Sequence, residues 1–186
     1  MDLAIPYQKL EVGKIHIVPQ PNGYLPFHYK DGALSLNRLF VITPMLTVAN
    51  YNPMNGRIDF EPSESMTFVG KIMAFQEVLR ATLLLNQAAY NRGPELTAED
   101  IERGFKNLYH NGRLSCYINM NQAAIKVHNK DGFQWKNVKE DVFVTGRKMR
   151  LCIKFSGVKK MLFNGPSGRM GVQFRIDHQI ASVYEA

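Results

Sequence analysis

The chain has 186 residues, 45% hydrophobic and 21% charged, a composition that excludes wholesale disorder and is long enough to bury a core without disulfides. Its net charge of +7 and pI near 9.4 point toward a polyanionic partner, but the charge is unevenly placed. Residues 1–99 hold 8 basic and 9 acidic side chains, whereas residues 100–186 hold 15 and 7.

The opening stretch MDLAIPYQKLEVGKIHIV lacks a basic region followed by an apolar core of signal length, and no run approaches the roughly 18 apolar residues of a membrane span. A soluble intracellular protein without a membrane partner is expected, which includes the host cytoplasm or nucleus for a viral protein. IHIV is a short strand, and PQPNGYLPFHYKDG, rich in Pro and Gly, is expected as a long loop pinned across the body of the protein by Tyr24, Phe27 and Tyr29. RLFVITPMLTVANY and RIDFE are β-branched, apolar stretches joined by a turn at Asn55-Gly56.

The middle of the chain changes period. Phe68, Ile72, Phe75, Leu79 and Leu83 recur at three- and four-residue steps, the stripe of a helix capped by Ser65 and ended at Gly93-Pro94. A second helix opens at Thr97 with Asp100 in a capping-box position; Ile101, Phe105 and Leu108 form its stripe, and Asn111-Gly112 ends it. From residue 113 the period returns to two: Leu114, Cys116, Ile118 and Met120 share one face, and Arg113, Ser115, Tyr117 and Asn119 the other. AIKVHNKDGFQW forms a hairpin around Lys130-Asp131-Gly132. In KMRLCIKF, Met149, Leu151, Ile153 and Phe155 point inward while Lys148, Arg150, Cys152 and Lys154 point outward, and GVQFRI supplies a last strand with Val172, Phe174 and Ile176 inward. The fold class is therefore mainly β, a single domain over residues 1–186 with a helical insertion of one or two helices at 63–111.

Residues 146–176 hold eight Lys and Arg and no acid. A two-residue period sets Lys148, Arg150 and Lys154 on one strand face beside Arg147, with Lys159 and Lys160 following. Like charges in a row are mutually unfavourable unless water screens them or an anion neutralises them. The bland reading is a solvated, edge-protecting strand; the functional one is a track for a phosphate backbone. Aromatics favour the second. Tyr109, Tyr117, Phe133 and Trp135 interleave with Arg113, Lys126, Lys130 and Lys136, and Tyr117 lies on the polar side with Arg113, as a base-stacking platform requires; Trp135, the only Trp, is equally a candidate for the core.

Enzyme signatures are thin. Ser156-x-x-Lys159 lacks companion motifs, GPSGRMG opens no helix, and the five histidines are scattered. Asp59, Glu61 and Glu64 could bind a metal ion, but a solvated loop is the better explanation of them. The two cysteines form no zinc or redox motif. No catalysis, metal or cofactor is expected.

RLFVITPMLTVANY and RIDFE, a helical insertion, YINMNQAAIKVHNKDGFQW, then VTGRKMRLCIKFSGVKKMLFNGPSGRMGVQFRIDHQIAS together resemble the single-stranded DNA-binding proteins of large DNA viruses and phages over residues 38–182. The resemblance is strongest where a glycine precedes a basic, alternating strand and a glycine turn leads to the last strand. It implies an OB-fold β-barrel that coats single strands in DNA replication and recombination with little sequence preference. It implies phosphate contacts at Arg147, Lys148, Arg150 and Lys154, and a binding loop bearing Phe133 and Trp135. Single-stranded DNA is the implied partner, with RNA, replication proteins and a homo-oligomer as further partners to test. IDHQIASVYEA carries no acidic tail of the kind many such proteins use for recruitment. The alternatives are a β-rich viral structural or assembly protein and an RNA-binding protein.

Overall fold

A computed structural model describes residues 3–18, 20, 22–62, 65–138, 141–164 and 170–186. In chain order come strands β1 (Ala4–Pro6), β2 (Ile15–Ile17), β3 (Tyr24–Asp31), β4 (Leu34–Leu36), β5 (Leu39–Ile42), β6 (Leu46–Asn52) and β7 (Arg57–Glu61). Helices α1 (Met66–Leu85), α2 (Gln87–Tyr90) and α3 (Ala98–Gly104) follow. Then come β8 (Phe105–Lys106), β9 (Tyr109–His110), β10 (Arg113–Tyr117), β11 (Ala124–Asn129), β12 (Gly132–Asn137), β13 (Lys148–Asn164) and β14 (Met170–Glu185).

The long antiparallel pair β13–β14 organises the molecule. One edge of β13 is covered in succession by β6, β5 and β3, its other edge by β14. From β6 the sheet continues antiparallel through β7 to β10, while β14 carries β11 in parallel and, beyond it, β12. Strands β10 and β14 then pack side by side, which curls the sheet into an OB-like barrel, with no ladder between them among the described residues. Register shifts between Cys152 and Ile153 and between Phe155 and Gly157 provide the bends that such a closure needs. Inward positions fill the core: Val48, Ile58, Phe60, Leu114, Val127, Met149, Leu151 and Val183 are all buried.

Helix α1 closes this core. Ser65 caps it by accepting from the Phe68 amide at 3.3 Å, and all five residues of its expected stripe are buried. Phe75 sits between Phe27 on β3 and Phe155 on β13, with ring centroids at 5.5 and 5.7 Å. Each such buried ring contributes on the order of 2–3 kcal/mol by area. Lys71 spends its charge locally, donating to the carbonyls of Tyr7, Gln8 and Leu10 at 2.7, 3.0 and 2.8 Å.

Several expectations are corrected. The segment expected as a loop before residue 31 contains β3, whose Leu25, Phe27 and Tyr29 are buried on alternate positions; Pro26 disguised the alternation, because Pro argues against a paired strand. The second helix stops at Gly104, not at Asn111. A Cβ at Gly104 would lie 2.2 Å from the Val172 carbonyl oxygen of β14, and Phe105–Lys106 leave the helix to pair with that strand. The first helical run breaks at Asn86 into α1 and α2. Met120 is 48% exposed, not inward. Cys152 keeps the strand face expected for it, opposite Ser182 and Ile42, but neighbours on both sides leave it buried. The last strand runs on to Glu185 instead of ending at Ile176. In the glycine-rich GPSGRMG, residues 165–169 lie outside the described residues, as does Glu64.

Candidate nucleic-acid interface

Where β10 meets β14 without a ladder, the surface opens into a cleft of about 550 Å³. Its floor is the outward face of β7 and β10, its far wall is β14, and the turn through β8 and β9 borders it. Arg57, Lys106, Arg113 and Arg175 line it together with Tyr117, Asp59 and His178. Asp59 is buried and explains the local order: its Oδ1 accepts from Arg57 Nε at 2.9 Å and from the Ser115 hydroxyl at 2.7 Å. Glu61 lies 3.6 Å from Arg113. Asp59 and Glu61 are therefore engaged by arginines, and no group of three or more metal-ligating side chains occurs among the described residues.

The cleft rim holds an unusual arrangement. Lys159 on β13 is directly opposite Arg175 on β14, which is directly opposite Lys106 on β8. Three cations thus stand side by side across three strands, an unfavourable placement that counter-charge would relieve. Asp177 reaches Lys159 at 3.7 Å and accepts from the Tyr24 hydroxyl at 3.2 Å. Lys106 and Arg175 have no acidic partner among the described residues. The Arg175 guanidinium lies 5.8 Å from the centroid of the half-buried Tyr117 ring, and His178 abuts that ring at 6.0 Å.

His178 adds an unused acceptor. Its Nδ1 is 2.8 Å from the Ile176 carbonyl oxygen, which can only accept, so Nδ1 carries the proton. Burial holds the imidazole below its usual pKa, the Arg175 charge pushing the same way and the Ile176 bond and Asp177 opposing. The neutral ring therefore keeps a buried Nε2 lone pair with no hydrogen-bond partner among the described residues.

The predicted residues divide between two places. Arg113 and Tyr117 line the cleft and Lys159 forms its rim. The others lie mainly on the outer face of β11 to β14, where a row crosses four strands: Phe133 opposite His128, His128 opposite Tyr184, Tyr184 opposite Arg150. The His128 and Tyr184 rings stack at 4.4 Å and 9°. Trp135 pairs with Lys126, whose Nζ sits 3.9 Å over the Phe133 ring. Trp135 is 63% and Phe133 57% exposed, so neither ring is sealed in the core. Lys148 and Lys154 share that strand face with Arg150, Lys154 half-buried opposite Gln179. Lys130 is exposed in the hairpin turn.

Three predicted cations are engaged elsewhere. Arg147 donates to the carbonyls of Asp141 and Val142 and so clamps the chain leading into β13. Lys136 pairs with Glu185 at 3.1 Å. Lys160 points to the face opposite from Lys159, bonds Asn91 at 2.9 Å and lies 5.8 Å from the Tyr90 ring. Sequence reasoning missed Arg57, Lys106, Arg175, His128, His178 and Tyr184. Arg175 was legible as an outward position of GVQFRI; Lys106 was hidden by the expected helix.

No protein-family model matches the sequence, and no curated protein sequence does. Among solved structures, gp2.5, a single-stranded DNA-binding protein encoded by bacteriophage T7, is similar at 14% sequence identity over 79% of this chain and 91% of that one, with a TM-score of 0.37. At that score and identity the likeness assigns no residue a role.

Proposed function

We propose that the protein is a non-catalytic single-stranded DNA-binding protein that holds the strand in the cleft between β10 and β14 and acts in replication or recombination. The observation that carries this reading is the Lys159–Arg175–Lys106 row at the rim of a cleft containing Tyr117. Lys106 and Arg175, with no acidic partner among the described residues, favour a polyanion even though Asp177 reaches Lys159, and a tyrosine beside them offers a stacking face to any base. The barrel supports the same placement. In OB folds oligonucleotides lie across the second and third barrel strands; counted from β6 along the path β6–β7–β10, these are β7 and β10.

Titration of labelled oligo-dT, with duplex and oligo-U competitors, tests the reading. Binding should weaken steeply with salt, and Tyr117→Ala should cost about 1–3 kcal/mol. Tight binding to duplex with none to oligo-dT would end it, and a preference for oligo-U would make the partner RNA.

A further inference from the structure

The cleft leaves a large part of the cationic and aromatic surface without a role. Arg175 and Tyr184 stand nine positions apart on β14, and the intervening outward positions connect the two places. Gln179 is opposite Lys154, and Ser182 is opposite Cys152 on one side and Lys126 on the other. Asp177 is the one acid on this stretch, and Tyr24 and Lys159 occupy it. The fold does not need the two exposed rings, because the inward positions of the same hairpin, Ile125 and Val127, already fill the core. An edge strand is usually protected by charge or Pro; β12 instead presents Phe133 and Trp135 to solvent.

We propose that the row on β11 to β14 is a second station for the same polynucleotide: a strand held in the cleft continues along β14, stacks bases on Trp135 and Phe133, and lays phosphates beside Lys126 and Arg150. This rests on the reading of the cleft as a single-strand site. The path from Arg175 to Tyr184 is about 30 Å at a strand rise of about 3.3 Å per residue. At a stacked spacing of about 3.4 Å per nucleotide, that is about nine nucleotides, inside the range of about 4–16 known for OB folds. A short oligonucleotide reaches one station at a time; a long one gains the second at high effective concentration.

The test uses the full chain with oligo-dT of about 4 and about 16 nucleotides, read by anisotropy at about 50 and about 200 mM salt. Trp135→Ala should weaken the long oligonucleotide about fivefold or more and leave the short one nearly unchanged. Arg150→Gln should make the salt slope shallower by about 0.7 for the long one only. Phe133→Ala, at a similarly exposed position, provides a second ring variant, and thermal melts of all variants report folding. If these variants leave long-oligonucleotide binding unchanged while Arg175→Gln weakens both lengths, the second station is wrong and the cleft stands. Equal weakening of short and long by Trp135→Ala also overturns it, since the rings would then belong to one compact site. If the wild type binds neither length, both readings fall.

Discussion

Arg175→Gln separates binding from stability at one residue. In the free protein two effects of similar size oppose each other. Removing the guanidinium relieves like-charge contact with Lys159 and Lys106, a few tenths of a kcal/mol each at an exposed site, or about 0.5 kcal/mol together. It also removes the cation over the Tyr117 ring at 5.8 Å, which contributes about 0.5 kcal/mol when exposed. The net change is near zero, so the melting temperature should shift by less than about 2 °C for a chain of this size. Binding behaves differently. One lost phosphate contact lowers the salt slope for a single strand by about 0.7, which corresponds to about fivefold weaker binding near 0.1 M salt and about threefold near 0.2 M. Calorimetry and an oligo-dT titration over a salt series measure both quantities. A drop of several degrees would make Arg175 a structural residue, and an unchanged slope would remove it from the phosphate path; either result refutes the reasoning.

Three further outcomes follow from the packing. Gly104→Ala should destabilise by about 1–3 kcal/mol, because its Cβ would meet the Val172 carbonyl at 2.2 Å and neither α3 nor β14 can yield cheaply; an unchanged denaturation midpoint would mean that the contact is slack. His178 has a depressed pKa in the folded state, while the unfolded chain takes up a proton near 6.5. Its stabilising contribution is thus full above about pH 6.5 and lost as pH falls through the lower folded value; the stability difference between pH 7.5 and 5.5 should be smaller in His178→Gln than in wild type. Cys116 and Cys152 are both buried, and burial raises both thiol pKa values. A thiol reagent at pH 8 should therefore label them only as the chain unfolds, and rapid labelling of the native protein would contradict the burial.

Local pattern was enough to place much of the fold. The change of period from two to three-and-four and back located α1, β10, the β11–β12 hairpin and the core of β13, because side-chain periodicity follows directly from backbone geometry. Ser65 and the Thr97–Asp100 box marked helix starts through hydrogen bonds spanning three residues. Helix ends were less legible: Gly104 stops α3 because of a carbonyl on a strand nearly 70 residues later, and nothing local announces that contact.

The sequence by itself determined the alternation of β13, its outward cations, and the outward positions of Arg113 and Tyr117, while the exposure of Phe133 and Trp135 came only with the structure. Only the tertiary structure decided which of them meet. Register across strands, set by long-range pairing and two bulges, put Lys106 and Lys159 beside Arg175 and kept Tyr117 with that cluster, while it sent Phe133 and Trp135 to the far end of β14. It also turned Arg147, Lys136 and Lys160 to partners inside the protein. The physical reason is that periodicity fixes which face of its own strand a side chain occupies, but its neighbours on that face come from other strands, and their identity depends on pairing that no short window of sequence contains.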